Sequence, residues 1–236
     1  MNRPTKFWHA RGESLWLWIA SLLAAMALAA ALAVVSFAPA WADGPAATLE
    51  SGSRLWLEGN STLHRYESTA SRFEVRVEAA QGLATAGPEG LEQLVKAGSV
   101  KTVEVTIPVA AMQSGKSGLD KNMRSALKAD RFPNITFHLE RYTVGASRSS
   151  DSLVIEAHGM LTVAGVEKPV DLHAGAVRSA DALRIRGTKE LQMTDFGVKP
   201  PTMMMGAVKT SNEIVIQFDL LLAPNQSNPL VGVKGE

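Results

Sequence analysis

Eight times between Arg54 and Leu222 the chain alternates apolar and polar residues with a period of two, and that repetition limits what it can fold into. Period two is the signature of a strand with one buried face, because successive side chains leave an extended backbone on opposite sides. Leu55 and Leu57 alternate with Arg54 and Glu58. Phe73, Val75 and Val77 alternate with Arg72, Glu74, Arg76 and Glu78, and Val103, Val105 and Ile107 with Thr102, Glu104 and Thr106. Ile135, Phe137 and Leu139 follow, then Leu153 to Val163, Val170 with Leu172, Leu183 to Met193, and Ile214 to Leu222. Each run has one apolar face and ends in turn residues. The expectation is an all-β fold: an eight-stranded antiparallel barrel, or else a sandwich.

Two segments break the alternation. Gly87 to Lys96 reads as a short helix after a turn. Between Ser114 and Asp130, Leu119, Met123 and Leu127 fall at i, i+4 and i+8 on one helical stripe, and Arg131-Phe132-Pro133 ends the segment. An amphipathic helix inserted between barrel strands is expected to lie across one end as a plug.

The N-terminus has a different grammar. Arg3, Lys6 and Arg11 precede an uncharged run from Ser14 to Ala42 that closes with Ala40-Trp41-Ala42. This predicts a secretory signal peptide over 1–42; an uncleaved membrane anchor is the alternative. Either way the remaining domain is expected in the periplasm or outside the cell. Residues 43–53 read as a flexible linker, 54–223 as the barrel domain and 224–236 as a loose tail.

The chain has 24 Lys+Arg and 23 Asp+Glu, and loss of 1–42 removes three bases and one acid, leaving a net charge of −1. Dispersed, balanced charge argues against a nucleic-acid partner. There is no cysteine, so disulfides, thiolate metal sites and thiol nucleophiles are excluded.

Catalysis finds little support in the pattern. The expected interior offers Val, Ile, Leu, Phe, Ala and Met, and every strand charge is assigned to the opposite face. GxSxG, HExxH and Walker-type motifs are absent. A metal site is the sharper rival, since His138, His158 and His173 lie on the polar faces of successive strands and would neighbour one another in a meander. Half-exposed strand faces also carry histidines with no such role. Met203, Met204 and Met205 would suit copper(I), but a consecutive run in extended chain points alternately to opposite faces, which favours adaptable packing. Such a barrel has room for side chains alone or for one small ligand, and alternation does not decide between them.

The stretches GNSTLHRYES, LDKNMRSALKADRFPNITFHL, GMLTVAGVEKPVDL, LQMTDFGVKPPTMMMGAVKT and EIVIQFDLLL stand in an order and spacing that resembles the YceI-like family of exported, lipocalin-like barrels. The resemblance implies a barrel that binds a long-chain isoprenoid or quinone-like lipid in an apolar tunnel without transforming it. It implies no catalytic residues and no cofactor beyond that lipid, and transient membrane or envelope partners. Some members form homodimers. By matching segments, the implied tunnel residues are Phe73, Val75, Val105, Ile107, Phe137, Leu139, Leu161, Met193, Phe196, Ile216 and Phe218. Leu119, Met123 and Leu127 would face the tunnel end, and Met203, Met204 and Met205 its rim. Thr194-Asp195, where many members have Arg-Asp, and the KPPTMMMG segment depart from the family pattern. The alternatives are a metal-binding or enzymatic envelope protein using the outer histidines, and an interaction module with a filled core.

Overall fold

A computed structural model describes residues 46–80, 87–146, 152–203 and 208–225, with Ala146 and Met203 described in backbone only. All of these lie in the second of two units into which the chain divides, Asp43–Glu236. The expected signal segment and most of the expected tail lie outside the described residues.

Among the described residues, eleven of the twelve strands assemble into eight long ones. β1 (Ala47–Leu49) and β2 (Arg54–Ser61) form the first, and β3 (Arg65–Ala70) and β4 (Glu74–Ala79) the second. β1 pairs β4 and β2 pairs β3, so the two composites make one bent hairpin. β5 (Val100–Pro108) continues through a 3₁₀ turn, Val109–Ala111, into β6 (Met112–Gln113) as the third. β7 (Asn134–Ala146), β8 (Ser152–Val163), β9 (Val166–Ser179) and β10 (Ala182–Gln192) follow as a meander. After β11 (Thr202–Met203), the long β12 (Val208–Pro224) closes the ring. Thr210–Asp219 pair with β2, and Leu222–Pro224 pair with β1. The closed eight-stranded antiparallel barrel is therefore confirmed. Closure pairs β12 on both edges, and the β9–β10 ladder parts only beyond Thr188–His173.

Residues 46–53 correct the linker expectation. Ala47 is 1% exposed and pairs with Pro224 on one side and Val77 on the other. The Gly, Ala and Ser content that suggested a linker instead supplies a short strand and the turn at Gly52, where φ is 94°.

Alternating strand direction sorts the connections to two ends. At one end lies α1 (Gly87–Lys96), with the span expected from the sequence. Its Leu91, Leu94 and Val95 are buried. Tyr142, inward on β7, donates to the Val95 carbonyl at 3.1 Å and accepts from the Val100 amide at 3.2 Å. Outside, Arg178 reaches Glu92 at 2.9 Å and Glu89 at 3.1 Å. The other end carries α2 (Ser117–Ala126), the tight Ala164-Gly165 turn, and a 3₁₀ turn, Met193–Phe196. Ala164 (φ 50°) and Gly165 (φ 80°) give two successive positive φ values, the geometry of a type I′ hairpin.

On the outer face, Asp219 accepts from Arg184 Nε at 2.7 Å and Nη2 at 2.6 Å, and from Arg186 Nε at 3.1 Å, tying β10 to β12. The Arg184 hydrogen bonds hold its carboxyl below the ordinary carboxylate range. A folded-state pKa below the unfolded one contributes stability that is complete above the unfolded value and lost as pH falls through the folded one. Asp219→Asn is therefore expected to melt lower than the parent at pH 7, with the gap closing below about pH 4. Denaturation curves across pH 7 to 3 measure the convergence.

Candidate functional site

The inward faces of the eight strands do not fill the space they enclose. A cavity of about 350 Å³ is lined from α1 at one end to α2 at the other. Small residues stand where a filled core would need large ones. Ile155 faces Ala174, Ala157 faces Leu172, and Gly159 faces Val170 across the β8–β9 ladder. Three inward glycines leave room for an aromatic ring to lie along the wall. A Cβ at Gly59 would meet the Tyr66 ring at 2.3 Å, one at Gly187 the Phe218 ring at 2.4 Å, and one at Gly159 the Phe137 ring at 2.7 Å. With the rings laid over neighbouring strands, space remains between them.

Most residues implied by the resemblance line this cavity. Val75, Val105, Ile107, Phe137, Leu139 and Leu161 do so from the middle strands, and Ile216 and Phe218 from β12. Met193 and Phe196 enter from the 3₁₀ turn that ends β10; Gly197 closes it with φ 64°. Leu119, Met123 and Leu127 form the α2 wall. That wall is thin, because no α2 residue is fully buried.

Phe73 is an exception. It sits at the bend between β3 and β4 and packs half-buried against Leu55, Ala70, Ile107 and Met112, outside the cavity lining. Met203 lies in β11 with its side chain outside the described atoms, and Met204 and Met205 lie outside the described residues.

Three features were missed by sequence reasoning. The deeper plug is α1, whose Leu91, Leu94 and Val95 stand at i, i+3 and i+4, a signal that was present in the sequence. The second is β3, where Tyr66, Ser68 and Ala70 alternate inward but two of the three are polar. Ser68 is 2% exposed and its hydroxyl donates to Met123 Sδ at 3.5 Å, while burial pushes the Tyr66 phenol up. The third is Lys189. It shares the inward parity of Leu183, Ile185, Gly187 and Leu191 and lines the cavity, so the assignment of every strand charge to the outer face is wrong.

The histidines do not converge. On the β7–β8 ladder His138 stands opposite Met160, and His158, beyond a bulge between Leu139 and Arg141, stands opposite Arg141. His138 lies 3.6 Å from Glu104. His158 lies 2.6 Å from Asp171 through Nδ1 and 3.5 Å from Glu140 through Nε2. The hydrogen bond to His158 holds the Asp171 carboxyl below the ordinary range. His173 is exposed opposite Glu156 and Thr188. Among the described residues no group of three His, Cys, Asp or Glu could hold a metal ion.

Comparison with known proteins agrees with this geometry. A family model described as the YceI-like domain matches residues 58–222. BcnA of Burkholderia cenocepacia has a similar structure, with a TM-score of 0.56 at 15% identity, covering 73% of this chain and 98% of that one. A structure described as a polyisoprenoid binding domain from Saccharophagus degradans, implicated in plant cell wall breakdown, is similar at TM-score 0.54 and 11% identity, covering 76% of this chain and 99% of that one. At such identities these likenesses show the fold alone. No curated protein matches the chain.

If the cavity is the binding volume, filling it should block entry while sparing the fold. Ala157→Phe places a ring beside Leu172 at mid-barrel, at a stability cost of about 1–3 kcal/mol. Affinity for an apolar fluorescent dye is expected to fall about tenfold, a loss of ~1.4 kcal/mol, with an unchanged far-UV dichroism spectrum.

Proposed function

Because the chain belongs to the YceI-like domain family, we propose that it is an exported, non-catalytic carrier that holds a long-chain isoprenoid or similar lipid inside its barrel. One observation carries this reading: a single apolar cavity runs between the two helices, with walls from every long strand. The Saccharophagus degradans relative, described as polyisoprenoid-binding, supports the same ligand class.

Volume sets the size of guest. At ~30 Å³ for a water-sized group, the cavity takes about a dozen methylenes. At ~0.8 kcal/mol for each buried CH₂, these contribute ~10 kcal/mol before ordering costs. Before those costs the figure corresponds to an affinity between micromolar and nanomolar, reached without any directional contact. A chain of many isoprene units exceeds this volume, so a longer guest leaves part of itself at the α2 end or displaces α2. The partly exposed stripe of Leu119, Met123 and Leu127 makes that the weaker end.

The non-catalytic part rests on the chemistry of the wall. Among the described lining residues the titratable groups are Tyr66, Tyr142 and Lys189, with no carboxylate, histidine or nucleophile–base pair. The export part rests on the charged and apolar grammar of residues 1–42.

Organic extraction of protein purified without added ligand is expected to release an apolar chain compound, detected by mass spectrometry. No extractable lipid, together with no binding of a farnesyl-length probe, would overturn the carrier reading. N-terminal sequencing of the chain from an envelope fraction is expected to begin at Asp43; full-length chain confined to the cytoplasm would contradict export.

A further inference from the structure

The cavity wall is hydrocarbon along nearly its whole length, and its polar groups gather at the α2 end. Lys189 is the one charged side chain among the described lining residues, and Gln192 and Thr210 line the same cavity close by in the sheet. Register fixes their neighbourhood. Lys189 stands opposite Ile216 on β12, Leu191 opposite Ile214, Ile214 opposite Gly59, and Gly59 opposite Tyr66. Tyr66, Lys189, Gln192 and Thr210 thus bring phenol, ammonium, amide and hydroxyl to one end. At the far end Tyr142 already spends its hydroxyl on α1.

The wall also parts beside Lys189. The β9–β10 ladder ends at Thr188 opposite His173, while β9 stays paired with β8 down to Val166. Outside this seam runs a groove lined by Lys168, Pro169, Glu190, Asp195 and Glu213, with Phe196 and Val170 closing it from within. Lys189 lines both cavity and groove, the placement of a side chain whose stem lies in an apolar wall and whose head seeks a polar boundary.

No hydrogen bond or ion pair engages the Lys189 ammonium among the described residues. Glu190 and Glu213 of the groove belong to the opposite face of β10 and β12, Asp195 lies in the 3₁₀ turn after β10, and Asp171, which feels the Lys189 charge, is hydrogen-bonded to His158 at 2.6 Å. Gln192 uses its amide oxygen to accept from Asn212 at 2.7 Å, which leaves its NH₂ group free to donate. The end of the cavity is therefore supplied with donors and one positive charge, and no carboxylate lines it.

We propose that Lys189 receives the acidic head of a chain amphiphile, a carboxylate or phosphate, with the tail running toward Leu91 and Leu94 of α1. The inference rests on the carrier reading above and specifies its guest. At the boundary between the apolar cavity and the polar groove, a half-buried lysine has given up part of its hydration, which an acidic head restores and a neutral head restores only in part. A hydrogen bond to a charged group then separates the acidic chain from the equally long neutral one by about tenfold or more.

The test uses delipidated protein and three twelve-carbon probes, dodecanoate, dodecyl phosphate and dodecanol, titrated by calorimetry at neutral pH. The parent is expected to bind at least one of the two acids about tenfold or more tighter than the alcohol, and whichever acid is preferred identifies the head. Lys189→Met is expected to erase the preference, bringing acid and alcohol affinities together, and Lys189→Arg to retain it. Equal affinity for acids and alcohol in the parent, or a preference that survives Lys189→Met, overturns the inference and leaves the carrier reading standing. Binding of none of the three overturns both.

Discussion

The ladder along β12 is the constraint on which the rest of the molecule depends. One edge of this strand pairs with β10 from Leu183–Leu222 to Gln192–Glu213. The other edge takes β2 and then β1, so the last strand holds the first two. An apolar sheet face eight strands wide has no other partner to cover it, and only closure removes both that face and the strand edges from water. The Arg184–Asp219–Arg186 cluster binds the same pair of strands from outside. Without this closure Ala47, Leu183 and Leu222, which share one cluster, would have no common interior.

Closure creates a volume, and inward residue sizes decide how much of it is filled. Glycines beneath Tyr66, Phe137 and Phe218 let the largest rings lie along the wall. Alanines at 157 and 174 keep the mid-barrel open. The two helices then differ in kind. α1 is fixed by three buried apolar residues, a hydrogen bond from Tyr142 to the Val95 carbonyl and the Arg178 ion pairs. α2 offers a half-buried stripe, one Ser68–Met123 contact and a tie to the preceding loop through Asp120, which accepts from the Ser114 amide and hydroxyl at 2.7 and 2.6 Å. The cavity thus has a firmly packed end at α1 and a loosely packed end at α2.

Much of this was legible because burial enforces period two. Eight alternations gave eight strands, and the span of α1 matched its sequence signal. The failures share a cause: pattern reading assumes that inside means apolar and that register is uniform. β3 was missed because its inward residues include Tyr66 and Ser68, and Lys189 was placed outside because it is charged. Both belong to the end of the cavity where polar groups are tolerated. The histidine cluster failed because the three residues are staggered along the ladders, His138 opposite Met160, His158 opposite Arg141 and Asp171, and His173 opposite Glu156, which only the register reveals. β1 is three residues long and is held by partners more than 25 residues away, so no local preference announces it. Whether the interior was open or filled depended on which small residues face which large ones, and that requires the register.

The central claim is that a chain molecule occupies the barrel axis. Intermolecular NOEs measure this most directly, recorded between a bound fifteen-carbon chain and isotope-labelled methyl groups of the protein. The account predicts contacts from the chain to Leu91, Ile155 and Leu183 together with Leu119 and Met123, which only an axial guest can reach. Contacts confined to outer-face methyls such as Val154 and Val177, with interior methyls unperturbed, would contradict it.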